Sequence, residues 1–457
     1  MNKVSRRAWI VLVVAVLIVA GSLAFVVQYF VKAADWVSFP GSPHVYTGIN
    51  PSTGLVYDRS GTELLDATGE RVYSDDVTLR MATMHLLGDR YGYIEAPLLG
   101  NYVDRMVGYN AITGLYATSD QTPTATLTIS AAAQEAALSA LNGQKGAVGV
   151  YNYKTGEILC AVTSPTYDPD NVPDIASDTT GAYDGVYVNR FFRSTYTPGS
   201  IFKIVTLAAA LENVSGIESE TFHCEGSCII GGELITCTGI HGSQTLGQAL
   251  TNSCNCAFAQ IAQEVGAKTM QAYAEKAGIT STLTFDGITT AAGQFDLTDA
   301  SVGSLSWSAI GQYTDLINPC EYMTFMGMIA NGGSAAQPYL METVKQGDSV
   351  QYAAKTTMLE SGIREETTQK IAKMMRDNVV NSYGTGIFPD VYVCAKSGSA
   401  ETQEGKTTNA MFAGFVQDEQ YPLAFIVVVE EGGYGSKTAA PIAGKVLQVC
   451  IDAMNAG

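Results

Sequence analysis

The sequence predicts an α+β fold: an antiparallel sheet sandwiched between helices, preceded by a small β-rich module and one membrane-crossing helix. Three observations carry this. Strand-like apolar runs fall in two distant places, residues 146–163 and 391–429, and the interval between them has the three- and four-residue apolar spacing of helices. A continuous apolar stretch opens the chain. Two early strands, helices between and three late strands fit one sheet covered on both faces.

Residues 8–31 are broken only by Ser22, Gln28 and Tyr29 among otherwise apolar or small side chains. About 20 such residues in a helix cross a bilayer, so this segment is expected to anchor the chain. Lys3, Arg6 and Arg7 precede it with no acidic residue beside them. A basic flank stays on the cytoplasmic side, which places residues 1–7 inside and everything after Lys32 outside. A cleaved signal peptide is the alternative, but the run is long for one. The next segment, to residue 121, is rich in turn signals such as Arg59-Ser60-Gly61 and Ala67-Thr68-Gly69, and is expected to be a membrane-proximal pedestal. A Thr/Pro linker at 122–124 leads to a strand at 125–129 and an Ala-rich helix at 131–141. Residues 122–457 are thus expected to form the main domain. Within it, 146–153 and 157–163 read as a hairpin turning at Lys154-Thr155-Gly156. Helices are expected at 200–212, 246–265 and 269–277, strands at 391–395, 411–416 and 423–429, and a closing helix at 442–454.

With 44 acidic against 26 basic residues, a net charge of -18, the chain has no basic footprint for nucleic acid. Its nine cysteines are an odd number, so an exported chain cannot pair them all. Cys224, Cys228, Cys237 and His241 read either as a loop with one Cys224–Cys237 bridge or reduced thiols, or as a zinc site of Cys-x3-Cys-x8-Cys-x3-His spacing. The plain loop is preferred, and neither a cofactor nor a metal is expected.

A serine hydroxyl acylates only when a neighbouring base takes its proton. In Ser200-Ile201-Phe202-Lys203 the lysine sits one helical turn on, on the same face, behind the turn Pro198-Gly199. Burial and a second cation would lower its pKa and make it that base. Ser253-Cys254-Asn255, expected in the middle of the 246–265 helix, offers a hydroxyl to relay a proton and an amide to hold a peptide group. Lys396-Ser397-Gly398-Ser399 continues the 391–395 strand, where Gly398 lets a substrate backbone approach and Lys396 can hold a carboxylate. Lys154-Thr155-Gly156 is a similar triplet, but it lies upstream of Ser200 in a hairpin turn and is read as structural.

Ser-x-x-Lys, Ser-x-Asn and Lys-Ser/Thr-Gly in this order resemble the signature of penicillin-binding proteins and serine β-lactamases. Gly54-Leu-Val-Tyr-Asp-Arg-Ser-Gly61 is similar to a membrane-proximal element of the monofunctional class B penicillin-binding proteins. So are Asn189-Arg190, Thr197-Pro-Gly-Ser-Ile-Phe-Lys203, Ala330-Asn-Gly-Gly333, Gly384-Thr-Gly386 and Ala439-Ala-Pro441. Ser397 and Ser399 stand where that family more often has threonine, and Gly311-Gln-Tyr313 replaces a more usual Gly-Gln-Gly.

The resemblance implies a peptidoglycan D,D-transpeptidase of the penicillin-binding fold. Ser200 would be acylated by a D-Ala-D-Ala stem peptide, with Lys203 as general base and Ser253 as relay to the leaving amine. Asn255 would bind the substrate amide, Lys396 would support Ser253, and Ser397, Gly398 and Ser399 would line the substrate, the two hydroxyls taking its carboxylate. The backbone N–H groups of Ser200 and Ser399 would form the oxyanion hole, and β-lactams would acylate as mimics. The implied partners are stem peptides, β-lactams, the cell membrane and a SEDS-type membrane glycosyltransferase. The alternatives are a D,D-carboxypeptidase or β-lactamase on the same fold, or a non-catalytic scaffold that binds β-lactams.

Overall fold

The computed structural model describes residues 2–37, 46–47, 50–51, 53–107, 112–113, 122–401 and 405–456. Five antiparallel strands form the main sheet, in the order Val393–Ala400, Asn409–Val416, Leu423–Val429, Gly146–Asn152, Ile158–Ser164. The two early strands and the three late ones meet along Val427↔Val148 and its neighbours. Successive side chains in a strand point to opposite faces, and here both faces are covered. Leu423, Phe425 and Val427 pack with Ala133, Ala137 and Leu447, from the helices Ala131–Leu141 and Ala439–Ala456. Ala424, Ile426 and Val428 join the opposite core, with Phe202, Phe258 and Met323. Burial on both sides explains why Leu423–Val429 is an unbroken apolar run with no polar alternation.

Local signals set the element ends. Ser130 caps Ala131–Leu141 by accepting from the Ala133 N–H, and Asn142, at φ 48°, closes it in a left-handed turn. The hairpin expected at 146–163 forms, with Lys154-Thr155-Gly156 in its turn as expected. The expected helix at 200–212 opens as a 3-10 turn, Gly199–Phe202, and continues as the α-helix Lys203–Asn213. The helix expected across 246–265 is instead two, Leu246–Thr251 and Asn255–Val265. Between them Ser253 takes φ 51°, which a continuing helix does not allow, and Cys254 caps the second helix with its sulfur.

A second sheet has six strands, ordered Ser349–Ala353, Met341–Gln346, Pro123–Leu127, Leu55–Tyr57, Glu63–Asp66, Val72–Tyr73. Leu55–Tyr57 runs parallel to Pro123–Leu127, so the stretch read as linker and strand pairs directly with the membrane-proximal segment. Gly54 makes that approach possible. It has φ 144°, and a Cβ there would lie 2.3 Å from the Pro123 carbonyl oxygen. Part of the expected pedestal, including residues 114–121, lies outside the described residues. The apolar opening stretch belongs to a helix, Asn2–Val37, whose Lys3–Ala33 span contains an 18-residue window of mean hydropathy 3.2 and is apolar and long enough to cross a membrane.

Asp58 ties the two sheets' elements together. It is 1% exposed, and its carboxylate accepts from the Ser60 N–H at 2.8 Å, the Thr62 N–H at 2.8 Å and the Ala131 N–H at 2.9 Å. One side chain thus holds the Arg59-Ser60-Gly61 turn and the start of the Ala131 helix. Asp58→Ala strands three backbone donors, so it is expected to cost about 3 kcal/mol, with Asp58→Asn costing less because one acceptor oxygen survives. Denaturant midpoints of the two variants check the size and the order.

Candidate active site

The helix Lys203–Asn213 is buried from Lys203 to Ala210, which leaves Lys203 no route to water. Its amine is fully buried and faces four oxygens: Ser200 Oγ at 3.0 Å, Ser253 O at 2.7 Å, Ser253 Oγ at 3.2 Å and Asn255 Oδ1 at 2.8 Å. Two of these, the Ser253 carbonyl and Asn255 Oδ1, can only accept. The Asn255 amide is oriented so because its nitrogen donates to the Thr236 carbonyl at 2.8 Å. A neutral amine spends its two N–H groups on those acceptors and keeps its lone pair for a hydroxyl. Burial, and then the charge of Lys396, push the Lys203 pKa well below the ordinary lysine range, which favours this neutral form.

The second lysine completes the circuit. Lys396, also buried, lies 3.0 Å from Ser253 Oγ and 3.0 Å from the Ser397 carbonyl, and burial lowers its pKa to about 7. Ser253 Oγ is thus held between two lysines, while Ser200 Oγ touches one.

These groups meet where the edge strand of the main sheet crosses the start of the nucleophile helix. The approach is close on both sides. A Cβ on Gly398 would lie 2.7 Å from the Pro198 carbonyl oxygen, and one on Gly199 would lie 3.0 Å from the Ser399 carbonyl oxygen. Ser200, Ser253, Asn255, Ser397, Ser399 and Trp307 line a cleft of about 630 Å³. Every site residue expected from the sequence is therefore brought to this crossing.

Other residues here were not singled out from the sequence. The Tyr383 oxygen accepts from the Ser397 N–H at 2.8 Å and from Asn378 Nδ2 at 2.9 Å, and its hydroxyl donates to Ser397 Oγ at 2.9 Å. With both acceptor positions of Tyr383 used, Ser397 keeps its own O–H free for the cleft. Gly435 donates its N–H to Ser399 Oγ at 3.2 Å, and a Cβ at Gly435 would lie 2.2 Å from the Met411 carbonyl oxygen. Tyr383 precedes the Gly384-Thr385-Gly386 turn, and that turn was the one signal that could have pointed to it.

None of the nine cysteines is in a disulfide, so the Cys224–Cys237 bridge does not form. The ligand grouping of the zinc alternative also changes. Cys224, Cys237 and His241 do gather, but Cys254 replaces Cys228 as the fourth member, because the break after Thr251 turns its sulfur toward them.

The family described as penicillin binding protein transpeptidase domain matches residues 146–448. The peptidoglycan D,D-transpeptidase PbpA of Mycobacterium tuberculosis is 26% identical over 337 residues, covering 67% of each chain. The stage V sporulation protein D of Bacillus subtilis is 28% identical over 320 residues, 65% of this chain and 47% of its own length. Among solved structures, a D,D-transpeptidase domain from Eggerthella lenta superposes with TM-score 0.75 at 27% identity, covering 89% of this chain and 99% of that one. The M. tuberculosis penicillin-binding protein A shares the fold at TM-score 0.73 and 24% identity, covering 87% and 98%. With the Ser200, Ser253 and Lys396 motifs at one cleft and the family match running from the hairpin to the closing helix, this chain belongs to the penicillin-binding protein transpeptidase family, in its class B, D,D-transpeptidase branch.

Proposed function

We propose that the chain is a membrane-anchored peptidoglycan D,D-transpeptidase working through a Ser200 acyl-enzyme, and that β-lactams inhibit it by forming the same ester. The observation that carries this is the buried, pKa-lowered Lys203 amine 3.0 Å from Ser200 Oγ. Ser200 Oγ attacks the carbonyl carbon of the penultimate D-Ala while its proton passes to Lys203 Nζ. The backbone N–H groups of Ser200 and Ser399 take the developing oxyanion. The C–N bond then breaks, and the leaving amine of terminal D-Ala gains a proton through Ser253 Oγ, which Lys203 and Lys396 both reach. Asn255 holds the donor amide, and the hydroxyls of Ser397 and Ser399, flanking Gly398, hold the terminal carboxylate. An acceptor amine reverses these steps: it attacks the ester carbon, gives up a proton and releases Ser200 with a new peptide crosslink. With a β-lactam the broken C–N bond belongs to the ring, so the leaving nitrogen stays tethered and the acyl-enzyme persists.

Residues 8–31 serve as the bilayer span, with 1–7 cytoplasmic and the catalytic domain, residues 122–457, on the outer face of the cell membrane. Lys3, Arg6 and Arg7 support that orientation. Residues 32–121 act as the pedestal, and together with the span form the contact for a SEDS-type glycosyltransferase that supplies the glycan strands.

Intact mass after exposure to fluorescent penicillin should show one adduct per chain, mapped to Ser200 and lost in Ser200→Ala; folded protein without an adduct would defeat the proposal. Lys203→Arg should slow acylation roughly 10²–10⁴-fold, the usual range for removal of a general base. The pH dependence has a definite sign. Only the neutral amine accepts the Ser200 proton, so the acylation rate should rise with pH through the depressed Lys203 pKa and level off below the ordinary lysine range. The charge of Lys396 is one cause of that depression, so Lys396→Met should move the acid limb to higher pH. Stopped-flow acylation across pH reads both. For the partner, co-purification in mild detergent should recover a polytopic glycosyltransferase with the full chain and lose it when residues 8–31 are replaced by an unrelated span.

A further inference from the structure

We propose that Cys224, Cys237, His241 and Cys254 form a structural zinc site that fixes the Ser253–Asn255 turn in the active site. The four side chains come from separate elements. Cys224 ends the strand Thr221–Cys224, Cys237 follows the strand Glu233–Thr236, His241 precedes the strand Gly242–Thr245 and Cys254 caps the helix Asn255–Val265. Their ligand atoms nonetheless all lie within 4.8 Å of one another.

Three of the six separations are those of a tetrahedron around one ion. Zinc bonds of about 2.3 Å to sulfur and about 2.0–2.1 Å to nitrogen put neighbouring ligands roughly 3.8 Å apart for two sulfurs and roughly 3.6 Å apart for sulfur and nitrogen. Cys237 Sγ lies 3.7 Å from Cys254 Sγ, and His241 Nδ1 lies 3.6 Å from Cys224 Sγ and 3.5 Å from Cys237 Sγ. A disulfide has a bond of about 2.05 Å and would use two of the three sulfurs, leaving a third thiol and an imidazole aimed at it.

A separate observation supports thiolate character. Each sulfur accepts a backbone N–H: Gly226 to Cys224 at 3.4 Å, Asn255 to Cys237 at 3.2 Å and Ala257 to Cys254 at 3.4 Å. Such outer contacts orient thiolate ligands and offset their charge. The last two donors also belong to the first turn of an 11-residue helix, whose N-terminal dipole favours negative charge there. Three sulfurs and one imidazole suit zinc over calcium or magnesium, which take oxygen ligands. Four protein ligands leave no open position, so the ion is structural and takes no part in acyl transfer.

Its effect on the reaction follows from position. Cys254 sits between Ser253 and Asn255, the Asn255 N–H rests on Cys237 Sγ, and the Asn255 amide donates to Thr236 beside Cys237. One ion would tie together the three segments that place the Ser253 hydroxyl and Asn255 Oδ1 on Lys203.

The test uses the full chain in detergent, purified without chelator, with zinc measured by mass spectrometry of the metal. One zinc per chain is expected, reduced at least ten-fold in Cys224→Ser and His241→Ala and kept in Cys160→Ser, a buried cysteine outside the tetrad. Should the site variants not fold, wild-type protein stripped by chelator and reloaded with cobalt supplies a second readout, because a Cys3His site gives sulfur-to-cobalt charge-transfer absorption. The stripped chain should acylate with penicillin at least ten-fold more slowly and recover on zinc addition. Zinc below one-tenth per chain with a disulfide among these cysteines in non-reduced peptide maps overturns the proposal, as does zinc that both site variants retain, or cobalt without the charge-transfer band. Metal content and cobalt spectra need no substrate, so this proposal and the transpeptidase reading fail independently.

Discussion

The structure depends on a lysine amine held out of water. An isolated ammonium in an apolar interior is costly, and a protein normally avoids that cost by releasing the proton. Lys203 sits on a helix whose first two turns are buried, and its surroundings supply oxygen acceptors and a second lysine but, among the described residues, no carboxylate partner. That balance separates this amine from a salt-bridged one. A carboxylate in place of Asn255 would stabilise the ammonium and take away the neutral amine's lone pair. The amide accepts equally well without adding charge.

Holding that amine against a hydroxyl and a sheet edge sets the demands on the rest of the fold. The edge strand must touch the nucleophile helix closely enough for Ser399 to face Ser200, and side chains at Gly199 or Gly398 would force the two apart. The sheet resists such a shift because it is covered on both faces and its closing strand pairs from Val393 to Ala400. Tyr383 fastens the free edge of that strand by taking up the Ser397 N–H, leaving the adjacent hydroxyl as the group turned to the cleft. An edge is ordinarily a place where a foreign strand can pair. Here the partial closure by Tyr383 restricts that pairing to the stretch beside Ser399.

Much of this was legible in the sequence because the informative segments are dense in one kind of signal. Leu423–Val429 and Ala131–Leu141 lie where apolar runs and helical spacing put them, since burial on both sheet faces and a Ser130 cap leave little choice. The nucleophile helix and the Lys396 strand were legible through their motifs. The break at Ser253 was not, because residues 246–265 keep helical spacing on both sides of it and a single residue at positive φ leaves no compositional mark. Tyr383 and Cys254 escaped for a different reason. Their partners are 14 and 17 residues away along the chain, and distance in sequence says nothing about which side chains a turn will bring together.

The Ser253 turn is where the local and the long-range demands conflict. A non-glycine residue in the left-handed region is disfavoured, and the neighbouring sequence has enough helical spacing to run straight through. A continuous helix would point Ser253 and Asn255 in directions about 200° apart, since each residue turns the helix by roughly 100°, so Lys203 could not reach both. The chain stops the helix at Thr251 and restarts it at Asn255, with the Lys203 amine holding the Ser253 carbonyl from one side and the Cys237 sulfur receiving the Asn255 N–H from the other. The first of these contacts persists when Lys203 accepts a proton, because the proton goes to the lone pair and a charged amine donates more strongly to the Ser253 carbonyl. The second rests on a backbone N–H and a sulfur outside the lysine pair. The turn is therefore held from both sides whether or not Lys203 carries its proton, and the two contacts together offset the cost of the left-handed residue.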